Sequence, residues 1–231
     1  ILNLTCSKEF AKRITSKVSY RPHRKLKGGG VMTEQRSQHL HELIQKQSGI
    51  IRSSLFRQSG IDSREVLELL RSGMLIKLKD GYYVTADEME NLSDYQIITQ
   101  TIPGAVICFI SAAAIYEFTT VIPDAIHVTV QNNGKCPVAP LSPPTEIVLQ
   151  KAGLYNYGRT ILETEFGTLP IYDRERTVCD CLKRSNEIGM DVFIEVIRNY
   201  MRGPKNLQNL YATADKLQIR NKLSPYVEAL V

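Results

Sequence analysis

The polar and cationic side chains between Arg52 and Lys79 are those whose types and spacing match a defined chemistry, the reading of duplex DNA. Arg64 stands near the start of an apolar-periodic segment, where its planar guanidinium fork matches the paired acceptors that a guanine shows in the major groove. Val66, Leu69 and Leu70 take the inward side of that segment, which leaves Ser63, Arg64, Glu68 and Arg71 facing outward. Upstream, Arg52, Ser53 and Arg57 are placed to hold the phosphate backbone, and Lys77 and Lys79 lie on a hairpin that follows.

Catalytic constellations are weaker. His39 and His41 stand at i and i+2 of a helical pattern, so they do not share a face, and neither an H-E-x-x-H motif nor a nearby third ligand accompanies them. No G-x-G-x-x-G, G-x-x-x-x-G-K-[ST] or G-x-S-x-G motif occurs. Glu163 and Glu165 alternate along a strand, which puts both carboxylates on one face, as a metal-dependent nuclease would need. The lysine of a Glu-x-Lys nuclease pattern is missing after Glu165, so a solvated strand face accounts better for the pair. His127, on an alternating strand, reads as a partly buried structural histidine. Five cysteines with no zinc-site spacing read as reduced thiols, two or three of them in the core, with Cys179 and Cys181 on different faces of one helix. No metal or cofactor is expected.

The elements needed to position the DNA-reading residues are present in order. A helix over 33–48 carries Leu40, Leu43 and Ile44 on one face. A second, over 52–58, buries Leu55 and Phe56 and stops at Gly60. Asp62 and Glu65 then form a capping box with an acidic cap that opens a third helix, ended by Ser72 and Gly73. Strand-like runs over 74–78 and 81–84, joined through Asp80-Gly81, form a hairpin. Three short helices and a hairpin make the plan of a winged helix-turn-helix. The remaining chain is mixed: a helix over 87–101, a buried strand over 105–110, a helix over 112–118, and a strand over 125–130. A proline-rich loop over 131–145 precedes strands over 146–149, 159–164 and 168–172, and four helical segments close the chain. The expected fold is α+β, with a tail over 1–31, a winged helix over 32–86 and an α+β domain over 87–231 that ends in a helical bundle.

Net charge adds less than its sum suggests. The chain carries +5, but residues 1–31 alone carry +7 and residues 32–231 carry −2. The winged-helix segment holds eight basic residues against six acidic ones, and residues 87–231 hold thirteen against seventeen. The DNA-reading expectation therefore rests on helix placement and named arginines. The longest apolar stretch, over 105–115, is broken by Ser111 and is too short to span a bilayer. Residues 1–31 lack an apolar signal-peptide core, which leaves a disordered arm, a transit-like presequence or, as the preferred reading, translated sequence upstream of a start at Met32.

Four motifs occur in a telling order. A G-x-L-x-x-x-x-x-G-x-Y wing runs from Gly73-Met74-Leu75 to Gly81-Tyr82-Tyr83, and Ile107-Cys108-Phe109-Ile110-Ser111-Ala112 follows an [I/V]-S-x-x-S-A helix start, with Cys108 in place of the first serine. An I-x-V-T-V strand (Ile126-His127-Val128-Thr129-Val130) and an R-E-R-T-[V/I]-x-D helix start (Arg174 to Asp180) complete the set. This order resembles the AbiEi-type antitoxins of bacterial type IV toxin–antitoxin systems, over nearly all of residues 34–231. The resemblance implies a non-enzymatic cytoplasmic protein whose winged helix binds inverted repeats at its own promoter, cooperatively, and represses the operon. It also implies a C-terminal domain that counteracts a co-encoded nucleotidyltransferase toxin, without implying a stable complex. The charges near Asp173 form either a local network or a basic edge, Arg174 and Arg176, offered to a partner. An orphan winged-helix regulator with a ligand- or protein-binding C-terminal domain is the alternative, and a nuclease built on Glu163 and Glu165 is a third class.

Overall fold

The computed structural model describes Glu42, residues 49–164 and residues 167–230; the expected tail, all of the first expected helix except Glu42, and Glu165 lie outside the described residues. The fold is α+β, and the chain divides into two compact units.

In the first unit, strand β1 (Ile51–Arg52) leads into helices α1 (Ser53–Gln58) and α2 (Ser63–Ser72), then strands β2 (Leu75–Lys79) and β3 (Tyr82–Thr85) and helices α3 (Ala86–Met89) and α4 (Asp94–Thr101). The strands form an antiparallel sheet in the order β1-β3-β2, with Ile76 opposite Val84. Successive strand residues face opposite sides, and both sides here are covered. Ile51 and Leu75 pack with Phe56 of α1 and Leu69 of α2, while Ile76, Leu78 and Val84 pack with Ile97 of α4. Pairing of Arg52 with Tyr82 in the sheet is why α1 begins at Ser53 and not at the expected Arg52.

The same packing extends this unit beyond the expected boundary at residue 86, to Ile102, because Met89, Leu92 and Ile97 cover the second face of the hairpin. The single helix expected over 87–101 is two. Ser93 and Gln96 form a capping box, with the Gln96 amide donating to Ser93 Oγ (3.3 Å) and the Ser93 amide to Gln96 Oε1 (2.9 Å). The box starts α4 afresh although the apolar spacing runs on across the break. Val138–Pro143 also belongs to this unit. The Leu141 amide donates to the Leu78 carbonyl (3.0 Å), so the segment lies along the outer edge of β2 and covers an otherwise exposed strand edge.

The second unit holds a five-stranded mixed sheet in the order β6-β5-β4-β8-β7, built from β4 (Val106–Ile107), β5 (Ile126–Gln131), β6 (Thr145–Gln150), β7 (Arg159–Thr164) and β8 (Gly167–Tyr172). Its helices are α5 (Phe109–Ile115), α6 (Ala152–Tyr155), α7 (Arg174–Lys183), α8 (Ser185–Ile188), α9 (Met190–Arg202), α10 (Leu207–Lys216) and α11 (Arg220–Glu228). The strand expected over 105–110 shortens to two residues, and the helix expected from 112 begins at Phe109, whose φ of 54° turns the chain out of the sheet. Residues Ala112 to Ala114 bring α5 close to α7, where Val178, Cys179, Cys181 and Leu182 are buried. Cys108, Cys179 and Cys181 are free, buried thiols whose ionisation burial disfavours, Cys108 being pushed up to about 12; Cys136 is exposed.

Candidate nucleic-acid interface

Helix α2 is a ten-residue segment fixed at both ends. Asp62 Oδ1 accepts from the amides of Arg64 (2.7 Å) and Glu65 (2.9 Å), and Glu65 Oε2 accepts from the Asp62 amide (3.0 Å). These bonds satisfy donors that the first turn would otherwise leave open. Gly73, at φ 78°, ends the helix in the left-handed conformation that a side chain would strain. Leu69, 1% exposed, anchors the inward face, with Val66 and Leu70 half-buried beside it. Ser63, Arg64, Glu68 and Arg71 are all exposed, and the helical repeat brings the last three together on the outward face.

The flanking cations divide into two groups. Arg57, in the last turn of α1, is exposed. Arg52 is exposed at the end of β1, with its guanidinium 5.7 Å from the centre of the Tyr82 ring. Ser53 ties α1 to the wing, since its amide donates to the Gly81 carbonyl (2.8 Å). The two wing lysines are engaged within the unit. Lys77 pairs with Asp80 across the hairpin turn, a contact that raises its pKa through a hydrogen bond and lowers that of Asp80. Lys79 is half-buried; its ammonium lies 4.8 Å from the centre of the Tyr82 ring and donates to the Val138 carbonyl (2.9 Å), and burial lowers its pKa. Lys79 thus braces the wing against Val138–Pro143, a role the sequence reading did not assign it.

Two side chains on this unit escaped that reading. Tyr82 gathers Arg52 and Lys79 on its ring, signalled in the sequence only as the x of the wing motif. Leu67 is 45% exposed on the outward face of α2, an apolar residue left over once the inward stripe is assigned.

The comparisons with known proteins bear on the fold. No protein-family model and no curated protein matches the chain. Among solved structures, it is similar to the RV2827C protein from Mycobacterium tuberculosis, at 12% identity and a TM-score of 0.54, over 78% of this chain and 70% of that one. The likeness is one of fold and supports the α+β architecture.

In the second unit, the charges near Asp173 form the local network and not the basic edge: Arg176 pairs with Asp180 inside the fold. Arg176 is completely buried. Its Nε donates to both carboxylate oxygens of Asp180 (3.0 Å each), its Nη1 donates to the Leu154 carbonyl (3.1 Å), and its guanidinium lies 4.6 Å from the centre of the Tyr172 ring. Arg174 is half-buried against the rings of Phe118, Tyr116 and Tyr200. Asp173 caps α7, accepting from the Arg176 amide (2.7 Å). Glu163 is exposed on β7, and among the described residues no three His, Cys, Asp or Glu side chains gather as metal ligands.

His127 lies between Ser111 and Glu146, with Nδ1 3.3 Å from Ser111 Oγ and Nε2 3.2 Å from Glu146 Oε2. Ser111 is fully buried and its Oγ accepts the His127 amide (2.9 Å), so this hydroxyl–imidazole–carboxylate row fastens β5 to α5 and β6 and presents no nucleophile to solvent. Burial pushes the imidazole pKa below its ordinary value; Glu146 and Glu187 oppose the shift and Arg184 adds to it. A histidine held neutral in the fold must take up a proton on unfolding below about pH 6.5, its unfolded value. Its contribution to stability is therefore complete above that pH and is lost as pH falls through the lowered folded value. Denaturant midpoints should drop between pH 7 and pH 5, and His127→Gln should flatten that dependence; a midpoint that falls equally in the variant would refute the assignment.

Proposed function

We propose that this protein is a cytoplasmic, DNA-binding antitoxin of the type IV kind. In this reading it occupies inverted repeats at its own promoter through α2 and relieves the toxicity of a co-encoded nucleotidyltransferase through its second unit. The observation that carries the DNA-binding half is the outward face of α2, where Arg64 and Arg71 stand exposed on a helix locked by its capping box and backed by a three-stranded wing. A helix so presented fits the major groove, where arginine finds the guanine acceptors. The antitoxin half is supported by the order of the wing, helix-start, strand and R-E-R-T-V-C-D motifs along the chain. Because Arg176 is buried, the second unit meets any partner through other residues.

Two measurements test the reading. A mobility-shift assay with DNA from immediately upstream of the gene should show saturable binding that competitor DNA of unrelated sequence does not displace, weakening steeply as salt rises. Co-expression should restore growth to cells carrying the neighbouring nucleotidyltransferase gene. Binding without rescue would replace the antitoxin assignment by that of an orphan regulator, and absence of sequence-specific binding would remove the DNA-reading role.

A further inference from the structure

Helix α2 contains four apolar residues, Val66, Leu67, Leu69 and Leu70. Three of them enter the cluster formed with Ile51, Phe56 and Leu75. Leu67 does not, and 45% of its surface meets solvent. Its place is as informative as its exposure. Arg64 lies one turn before it, with Glu68 alongside, and Arg71 lies one turn after it at the helix end, so the leucine stands between the arginine that would read a guanine and the one placed for a phosphate. An acidic side chain is repelled by phosphate, whereas at a base edge the Glu68 carboxylate can accept from the cytosine amino group.

The apolar group that the base edges of the major groove display is the thymine 5-methyl. We propose that Leu67 is a specificity-determining residue that reads a thymine by packing on that methyl, next to the guanine taken by Arg64. Residues i and i+3 of a helix are separated by a rise of about 4.5 Å and successive bases by about 3.4 Å, so Arg64 and Leu67 can reach adjacent bases of a half-site. The inference rests on α2 being the DNA reader, and it adds a chemical requirement that the DNA-binding reading does not contain: removal of one methyl from the DNA must weaken binding.

Deoxyuridine lacks that methyl and keeps every hydrogen-bonding group of thymidine. DNA from upstream of the gene, amplified with partial replacement of thymidine by deoxyuridine, is bound to the full-length protein, and bound and unbound fractions are cleaved at uracil. The bound fraction should be depleted of uracil at one thymine in each half-site. A synthetic duplex with that single replacement should bind about fourfold more weakly, the value of one buried methyl. Leu67→Ala should bind the thymine and uracil duplexes equally, at an unchanged Tm because the side chain is exposed, and Leu67→Met should restore the difference. Specific binding with no depleted thymine would overturn the role of Leu67 and leave the DNA-reading role standing, as would a Leu67→Ala protein that still distinguishes the two duplexes. If the unsubstituted DNA is not bound specifically, the DNA-reading role fails and Leu67 has no thymine to read.

Discussion

Replacing Arg176 with alanine should cost about 3–5 kcal/mol of folding stability, the scale for breaking one half of a buried ion pair. The side chain is 0% exposed and makes several buried contacts. Its Nε bonds to Asp180 join one turn of α7 to the next, and its Nη1 bonds to the carbonyls of Leu154 (3.1 Å) and Tyr157 (3.4 Å) hold the end of α6 and the following turn against α7. Truncation leaves two part-buried carbonyls without their donor and a carboxylate without its counter-ion, and each loss adds a desolvation cost. Arg176→Lys keeps the charge but not the fork, so it should fall between wild type and Arg176→Ala. Replacing both partners with apolar residues, Arg176→Met with Asp180→Leu, should recover much of the loss because no charge is then stranded.

The same argument fixes a pH signature. Burial already raises the Asp180 pKa, and Arg176 is the first influence that opposes the rise. With the arginine gone, the folded-state pKa of Asp180 climbs further above its unfolded value near 3.9, so the penalty is absent below that value and complete above the folded one. The instability of Arg176→Ala should thus be greatest at neutral pH and shrink as acid protonates Asp180. Denaturant titration of the full chain at pH 4.5 and pH 7 measures both effects. A loss no larger than that of an exposed control such as Arg198→Ala, or one independent of pH, would sink the account.

What the sequence disclosed and what it hid follow from the range of the interactions. The Asp62–Glu65 capping box is complete within four consecutive residues, so its pattern could be read directly, and with it the start of α2. The box at Ser93 and Gln96 is equally local, yet the expected helix over 87–101 runs through it unbroken, because the apolar residues Leu92, Tyr95 and Ile98 keep helical spacing across a break that the cap imposes. The roles of Arg176 and Lys79 depend on remote partners. Arg176 can lie where it does because Gly158 has no side chain: a Cβ there would come within 2.9 Å of Arg176 Cβ. Lys79 is engaged by a carbonyl 59 residues away. No periodicity marks either of these remote contacts, so the sequence shows Arg176 only as a member of a local charge network or a basic edge, and Lys79 only as a wing cation. Leu67 was hidden differently, in plain sight, as the apolar residue that did not fit the stripe.

The largest functional effect should come from the pair Arg64→Ala and Arg71→Ala. A bidentate arginine–guanine contact discriminates by about 1–3 kcal/mol, so loss of Arg64 should weaken binding to upstream DNA by roughly tenfold to a hundredfold while leaving binding to unrelated DNA nearly unchanged. Arg71, one turn further along α2 and near the helix end, is placed for a phosphate; its loss should weaken binding to all sequences alike and reduce the slope of log affinity against log salt by about 1. The two substitutions therefore differ in kind, and the double variant should show both signatures together, a lost preference and a shallower salt dependence. Neither side chain contributes to the cluster around Leu69, and changes at exposed sites lie within about 0.5 kcal/mol, so the double variant should keep its Tm. That separates a lost contact from a lost fold. If the double variant binds upstream DNA with unchanged affinity, α2 is not the reading helix, because Ser63, Leu67 and Glu68 alone leave its outward face with no cation to meet a guanine or a phosphate.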